Sequence, residues 1–140
     1  MEDFVTTFIH SIIPDVEVKF EDDEFRVNIE ERVINIGINP DPDGDRLIQE
    51  FIFNEFGVPM DSFLIGILHE IGHLVTYDEE INSEGEVLYY LLQMNYDDMS
   101  HEDYSIMYFN IPSEYRATEW AVNYYLSHKD KCDKFCDELL

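Results

Sequence analysis

Apolar residues recur at helical spacing near the amino terminus of the chain. They are Phe4, Phe8, Ile9, Ile12 and Ile13. Side chains three and four residues apart lie on the same side of an α-helix, so this spacing predicts a short amphipathic helix. Pro14 has no backbone N–H with which to continue the helical hydrogen bonds, and it ends the predicted helix.

The next segments carry the two-residue period of β-strands. Apolar and polar residues alternate, as in strands with one buried face, in three segments: Val16–Phe20, Glu24–Ile29 and Arg32–Ile38. The acidic residues between them are typical of turns. This order predicts a three-stranded antiparallel sheet, with one face in solvent and the other packed on a helical layer.

The pattern then becomes helical. The turn formers of Asn39–Asp45 end the predicted sheet, and an apolar helical face follows over Leu47–Phe56. Gly57 is placed to end that helix. Asp61 or Ser62 is placed to cap the next one, because a short polar side chain before a helix accepts hydrogen bonds from its first backbone N–H groups.

Beyond Tyr77 the chain reads as helical almost to its end. Asp78–Glu86 is expected to be a link, and helices are expected at Val87–Met94, His101–Phe109, from Pro112 through Leu126, and within Asp130–Leu140. Helix, sheet and then several helices in this order predict an α+β fold.

Length and composition indicate one folded unit. The chain has 140 residues, 45% of them hydrophobic, with ten Phe and nine Tyr, which is enough for one domain over residues 1–140. Its net charge is -24, with only eight Lys and Arg residues. Because nucleic-acid affinity comes largely from Lys and Arg, direct nucleic-acid binding is disfavoured. The same charge attracts basic proteins, or imitates nucleic acid to a protein that binds it.

The amino-terminal residues argue against export. Glu2 and Asp3 stand where a secretory signal carries positive charge, and no small-residue cleavage site follows. The longest apolar-rich segment, Phe63–Val75, is shorter than a membrane span and contains ionisable residues. We therefore predict a soluble cytoplasmic protein with no membrane partner.

The segment Gly66–Tyr77, GILHEIGHLVTY, places three ionisable side chains in an otherwise apolar helix. His69 and His73 are four residues apart and share one face, whereas Glu70 points to another side. Two imidazoles so placed can hold a Zn²⁺ ion at about 2.0–2.1 Å. Glu70 can then accept a proton from a zinc-bound water and pass it to a leaving amine. The alternative is a pair of core histidines paired with neighbouring carboxylates or carbonyls; the HExxH spacing favours the metal.

A catalytic zinc ion needs a third protein ligand. The extended metzincin pattern requires Gly at position 76 and His at position 79, where the sequence has Thr76 and Glu79, and this excludes that class. His10, His101 and His128 stand in no informative context, so a glutamate on a later helix is favoured.

Two glutamates of the helix that begins at Pro112 are candidates. Glu114 shares a helical stripe with Ala117 and Ala121, whose small side chains allow close packing beside Gly72 of the motif helix. Glu119 lies on another face and remains the alternative. Tyrosines near this helix, namely Tyr104, Tyr108 and Tyr115, are candidates to hydrogen-bond an oxyanion or are core residues.

Two segments of the chain resemble the ImmA/IrrE-type metallopeptidases of bacteria and mobile elements. They are HEIGHLV at His69–Val75 and the later Glu114-x-x-Ala117-x-x-Trp120-Ala121. In that family HExxH precedes a helix of the form E-x-x-A-N-x-F-A, and Thr118 stands here where the family pattern has Asn. The resemblance covers roughly Phe63–Leu126.

The resemblance implies a small zincin-like fold of the gluzincin type. It implies one Zn²⁺ ion held by His69, His73 and Glu114, with Glu70 as the general base. It also implies a protein substrate of the repressor type, as in phage or stress regulation.

Two hypotheses follow from the sequence. The first is a zinc-dependent metallopeptidase that hydrolyses a peptide bond in a protein partner, such as a basic or DNA-binding regulator, through a zinc-bound water. The second is an acidic interaction protein or nucleic-acid mimic on a zincin-like scaffold, which acts by binding without catalysis.

Overall fold

The computed structural model describes residues 1–39 and 41–139 of the chain. The predicted α+β class is confirmed, with a small sheet and a mainly helical remainder. None of the described helices is both long enough and apolar enough to cross a membrane. Pro40 of the predicted turn and Leu140 of the predicted last helix lie outside the described residues. The elements are α1 (Glu2–Ile12), β1 (Glu17–Lys19), β2 (Arg26–Asn28), β3 (Val33–Asn35), α2 (Pro42–Phe56), α3 (Ser62–Val75), α4 (Glu79–Met94), a 3₁₀ turn (Tyr96–Asp98), α5 (His101–Phe109), α6 (Pro112–Ser127) and α7 (Lys129–Leu139).

The three strands pair differently from the predicted antiparallel sheet. Their order is β1-β3-β2, with β3 in the middle. β2 and β3 are antiparallel, but β1 and β3 are parallel, with Glu17 opposite Val33. The predicted antiparallel arrangement is therefore wrong, and the sheet is mixed.

The side chain of Asn35 accounts for this topology. It is buried, its Oδ1 accepts a hydrogen bond from the Glu21 N–H at 3.0 Å, and its Nδ2 donates to the Glu24 carbonyl at 2.8 Å. Gly37 then passes so close to Asp23 that a Cβ would collide with the Asp23 carbonyl. These contacts hold the link after β1 across the end of β3, so β2 pairs with the far edge of β3.

Two helices begin earlier than the sequence pattern indicated. Asp41 accepts a backbone hydrogen bond from the first turn of α2 and Pro42 occupies its first position, so the second half of the predicted turn is helical. Asp78 caps α4 through the Ile81 N–H at 2.9 Å, so the predicted link at Glu79–Glu86 is also helical. In both helices, acidic residues in the first turn stabilise the helix by interacting with the positive end of its dipole.

Helix α3 lies at the centre of the fold. Asp61 caps it, accepting a hydrogen bond from the Leu64 N–H at 3.1 Å. The apolar side chains of α3 share one core with side chains from both α1 and α7. Helix α6 packs along α3, and β2 contacts α3 as well. The polar residues of α3 therefore lie in a region that α6 and β2 border.

Candidate metal centre

The candidate site forms where α3 and α6 come into contact. Gly72 on α3 faces Ala117 on α6, and a Cβ on Gly72 would lie 2.5 Å from the Ala117 carbonyl oxygen. Only the absence of a side chain at position 72 allows the two backbones to come this close. The contact brings the HExxH turns of α3 against the first two turns of α6, in agreement with the close packing expected beside Gly72.

We expect Gly72→Ala to lower the free energy of unfolding by about 2–3 kcal/mol, because the new methyl group meets backbone that cannot move aside. Helix propensity alone would favour alanine by up to about 1 kcal/mol. Gly66→Ala on the same helix is the matched control, since the atoms nearest to its methyl group belong to the side chain of Phe25 and not to backbone. Urea unfolding measures both variants. Equal stability of the two variants would contradict the close contact between α3 and α6.

Three side chains converge at this contact. His73 Nε2 lies 2.9 Å from Glu114 Oε2, His69 Nε2 lies 3.2 Å from Glu114 Oε1, and the two Nε2 atoms are 3.1 Å apart. A tetrahedral zinc ion with bonds of about 2.0–2.1 Å separates its ligand atoms by about 3.3 Å. The three side chains therefore fit a zinc ion. Within residues 1–39 and 41–139, no other group of three His, Cys, Asp or Glu residues gathers its ligand atoms in this way.

The other candidate ligands lie elsewhere. Glu119 is exposed on α6. His10 bonds to a backbone carbonyl in the turn after α1, His101 pairs with an aspartate of α2, and His128 stacks on a tyrosine of α6. The structure thus brings Glu114, and not Glu119, to the two histidines of α3.

Thr118 orients the first of these histidines. It is fully buried, and its Oγ1 lies 3.0 Å from His69 Nδ1. With a metal present, the imidazole would donate its Nδ1 proton to Thr118 Oγ1 and bind the metal through the lone pair of Nε2. The sequence pattern did not assign Thr118 this role, although a residue four positions after Glu114 shares its helix face.

We expect Thr118→Val to raise the dissociation constant for zinc about tenfold, because it removes the partner of His69 Nδ1 while conserving side-chain shape. Thr76→Val is the matched control, since the Thr76 hydroxyl donates to the Gly72 carbonyl at 2.7 Å instead. Competition against a chromophoric chelator measures both constants. An unchanged affinity in Thr118→Val would show that the hydroxyl does not orient the imidazole.

Tyr108, a residue of α5, forms a hydrogen bond with Glu114, the third candidate ligand. Its hydroxyl donates to Glu114 Oε1 at 2.6 Å, and burial together with the Glu114 charge raises the pKa of Tyr108 well above its usual range. Burial also acts to raise the pKa of Glu114, but hydrogen bonds from the two histidines outweigh it and hold that pKa well below its usual range. The hydroxyls of Tyr104 and Tyr115 bond to Gln93 and Glu55, away from this site.

Glu70 lies beside the three converging side chains. It is only 7% exposed, and it lines a cleft together with His73, Tyr108 and Glu114. Burial raises the pKa of Glu70, and the nearby histidines offset only part of this effect. The cleft runs between β2 on one side and α4 on the other. A carboxylate able to exchange protons therefore faces the space next to the metal position.

No protein-family model, curated protein or solved structure matches the chain. The side chains of the site are therefore what indicates a function for the chain. His69, His73 and Glu114 offer ligand atoms, and Glu70 lies in the same cleft.

Proposed function

We propose that this protein is a zinc-dependent metallopeptidase that hydrolyses a peptide bond in a protein partner. The observation that carries the proposal is the convergence of His69, His73 and Glu114, whose ligand atoms all lie within 4.8 Å of one another, beside the buried carboxylate of Glu70. The order of these residues along the chain is that of the ImmA/IrrE-type metallopeptidases, and we extend their activity to this chain.

The proposed chemistry divides the work among four side chains. His69 and His73 from α3 and Glu114 from α6 would hold the metal beside the cleft. Zinc, when bound there, lowers the pKa of water and polarises a carbonyl group. Glu70 takes the proton from the attacking water and delivers it to the nitrogen of the leaving amine. Tyr108 keeps Glu114 in place through its hydroxyl.

A protein substrate suits the surroundings of the site. The cleft is open to solvent, and one of its walls is β2, an edge strand of the sheet. Glu86 lines the same cleft, and the net charge of the chain is -24. Such a field attracts positively charged partners. The net charge leads us to propose a basic substrate, and the resemblance to the ImmA/IrrE-type metallopeptidases leads us to propose a DNA-binding regulator of the repressor type.

Cleavage of a peptide library tests the proposed function. The purified protein, either loaded with one equivalent of zinc or freed of metal by chelation, is incubated with peptides from a digested proteome, and new termini are identified by mass spectrometry. We expect cleavage only by the zinc-loaded protein. Cleavage that survives metal removal, or no cleavage by the loaded protein, would contradict a zinc peptidase.

The charge distribution also supports a second candidate, an acidic binding protein that acts without catalysis. No Lys or Arg lies between Arg46 and Arg116, although the chain is rich in Asp and Glu there. A surface of this kind can mimic nucleic acid or bind a basic regulator. The two candidates differ in their dependence on Glu70, since a protein that only binds does not need a proton carrier in its cleft.

A further inference from the structure

The outer face of α4 carries large apolar side chains that are exposed to solvent. Four of them recur at helical spacing, and each is between 49% and 67% exposed: Val87, Tyr90, Leu91 and Met94. We call these four residues the outer stripe. The opposite face of α4 carries the buried Gly85, which packs against α6. A contiguous apolar stripe of this kind on a soluble domain marks an interaction surface.

Acidic residues border the outer stripe. Glu80 and Glu84 continue it toward the amino-terminal end of α4, and Asp97–Asp98 follows its other end in the 3₁₀ turn. Lys and Arg are absent from the whole stretch between Arg46 and Arg116, so no basic side chain on these helices compensates the acidic ones. The face is therefore apolar in its middle and negative at both ends.

We propose that the outer stripe docks a basic amphipathic helix of a partner protein. The apolar face of such a helix would cover the outer stripe, and its Lys and Arg residues would pair with the bordering carboxylates, Glu80 and Glu84 among them. Charge complementarity selects this occupant. A second copy of the chain would bring another charge of -24 to the contact, and like charges at an interface oppose association. An anionic membrane surface is repelled for the same reason.

The outer stripe and the cleft lie on opposite sides of α4. The other side of α4 contributes Asn82, Gly85 and Tyr89 to the cleft that contains Glu70. A partner on the outer stripe is thus about one helix diameter, roughly 10 Å, from the cleft. Where the proposed peptidase activity holds, docking raises the local concentration of a protein substrate beside the site. The docking itself does not require that activity.

A designed peptide tests the docking surface. The probe is a labelled peptide of leucine and lysine whose leucines share one helical face, and the control peptide has the same residues in an order that forms no such face. Leu91→Ser is compared with Leu126→Ser, because Leu91 is 49% exposed on α4 and Leu126 is 53% exposed on α6. Fluorescence anisotropy gives the affinities, and circular dichroism checks that both variants are folded.

We expect the full chain to bind the amphipathic peptide at least about tenfold more tightly than the shuffled one, and Leu91→Ser to weaken that binding about tenfold while Leu126→Ser does not. We expect zinc-loaded protein, metal-free protein and Glu70→Gln to bind the amphipathic peptide equally, because docking does not depend on peptidase activity.

Equal losses of binding in the two serine variants, or no preference between the two peptides, would overturn the docking proposal. Two other results would also overturn the docking proposal. One is a dimer in sedimentation equilibrium that Leu91→Ser abolishes, and the other is binding to phosphatidylcholine vesicles that Leu91→Ser abolishes.

Discussion

His73→Ala is expected to abolish stoichiometric zinc binding. The substitution leaves two candidate ligands, His69 and Glu114, where the fold now brings three together. The apparent free energy of zinc binding at small protein sites is about 10–16 kcal/mol, and losing one of three ligands removes on the order of a third of it. The zinc dissociation constant should therefore rise by a factor of about 10²–10⁴. Elemental mass spectrometry and chelator competition on purified protein measure the change.

Variants at other positions test whether the loss of zinc is specific to this site. His101→Ala removes an exposed imidazole that pairs with Asp43, so it should leave zinc content unchanged. Glu114→Gln should weaken zinc binding, whereas Glu119→Gln on the exposed side of α6 should not. About one zinc per chain in both wild type and His73→Ala would contradict the site. The histidines would then be core residues paired with a carboxylate.

The sequence indicated the local part of this site and left the tertiary part open. His69 and His73 could be placed together because their spacing is set by one helix. Glu114 is separated from His73 by 41 positions, so its location depends on how α6 packs on α3. Gly72 and Ala117 indicated that packing, because only small residues permit such a close approach.

The parts that the sequence did not predict depend on side chains acting across elements. Alternation along a strand shows which face is buried but not which edge is paired, and the choice here depends on the hydrogen bonds of Asn35. The roles of Thr118 and Tyr108 likewise depend on contacts with residues of other helices. The helical start of α4 depends on a single capping side chain, Asp78, in a segment whose polar composition is typical of a link.

Glu70→Gln is expected to lower the rate of peptide hydrolysis by a factor of about 10²–10⁴, because glutamine cannot carry the proton from water to the leaving amine. Zinc content should stay at the wild-type level. Glu70 is not one of the three residues whose ligand atoms converge, and glutamine conserves the shape of its buried side chain. The rate is measured on a peptide that the zinc-loaded wild type cleaves, and zinc content is measured on the same samples.

Glu86→Gln is the matched control for this prediction, since Glu86 is an exposed carboxylate that lines the same cleft. Loss of activity in Glu70→Gln alone separates proton transfer from the general effect of negative charge in the cleft. An unchanged rate in Glu70→Gln would contradict its role as the base, and loss of zinc would make it a ligand instead. If a biological effect of the protein survives in Glu70→Gln but is lost when outer-stripe residues are replaced, binding through α4 is its cause. Catalysis therefore requires Glu70, whereas docking on the outer stripe does not.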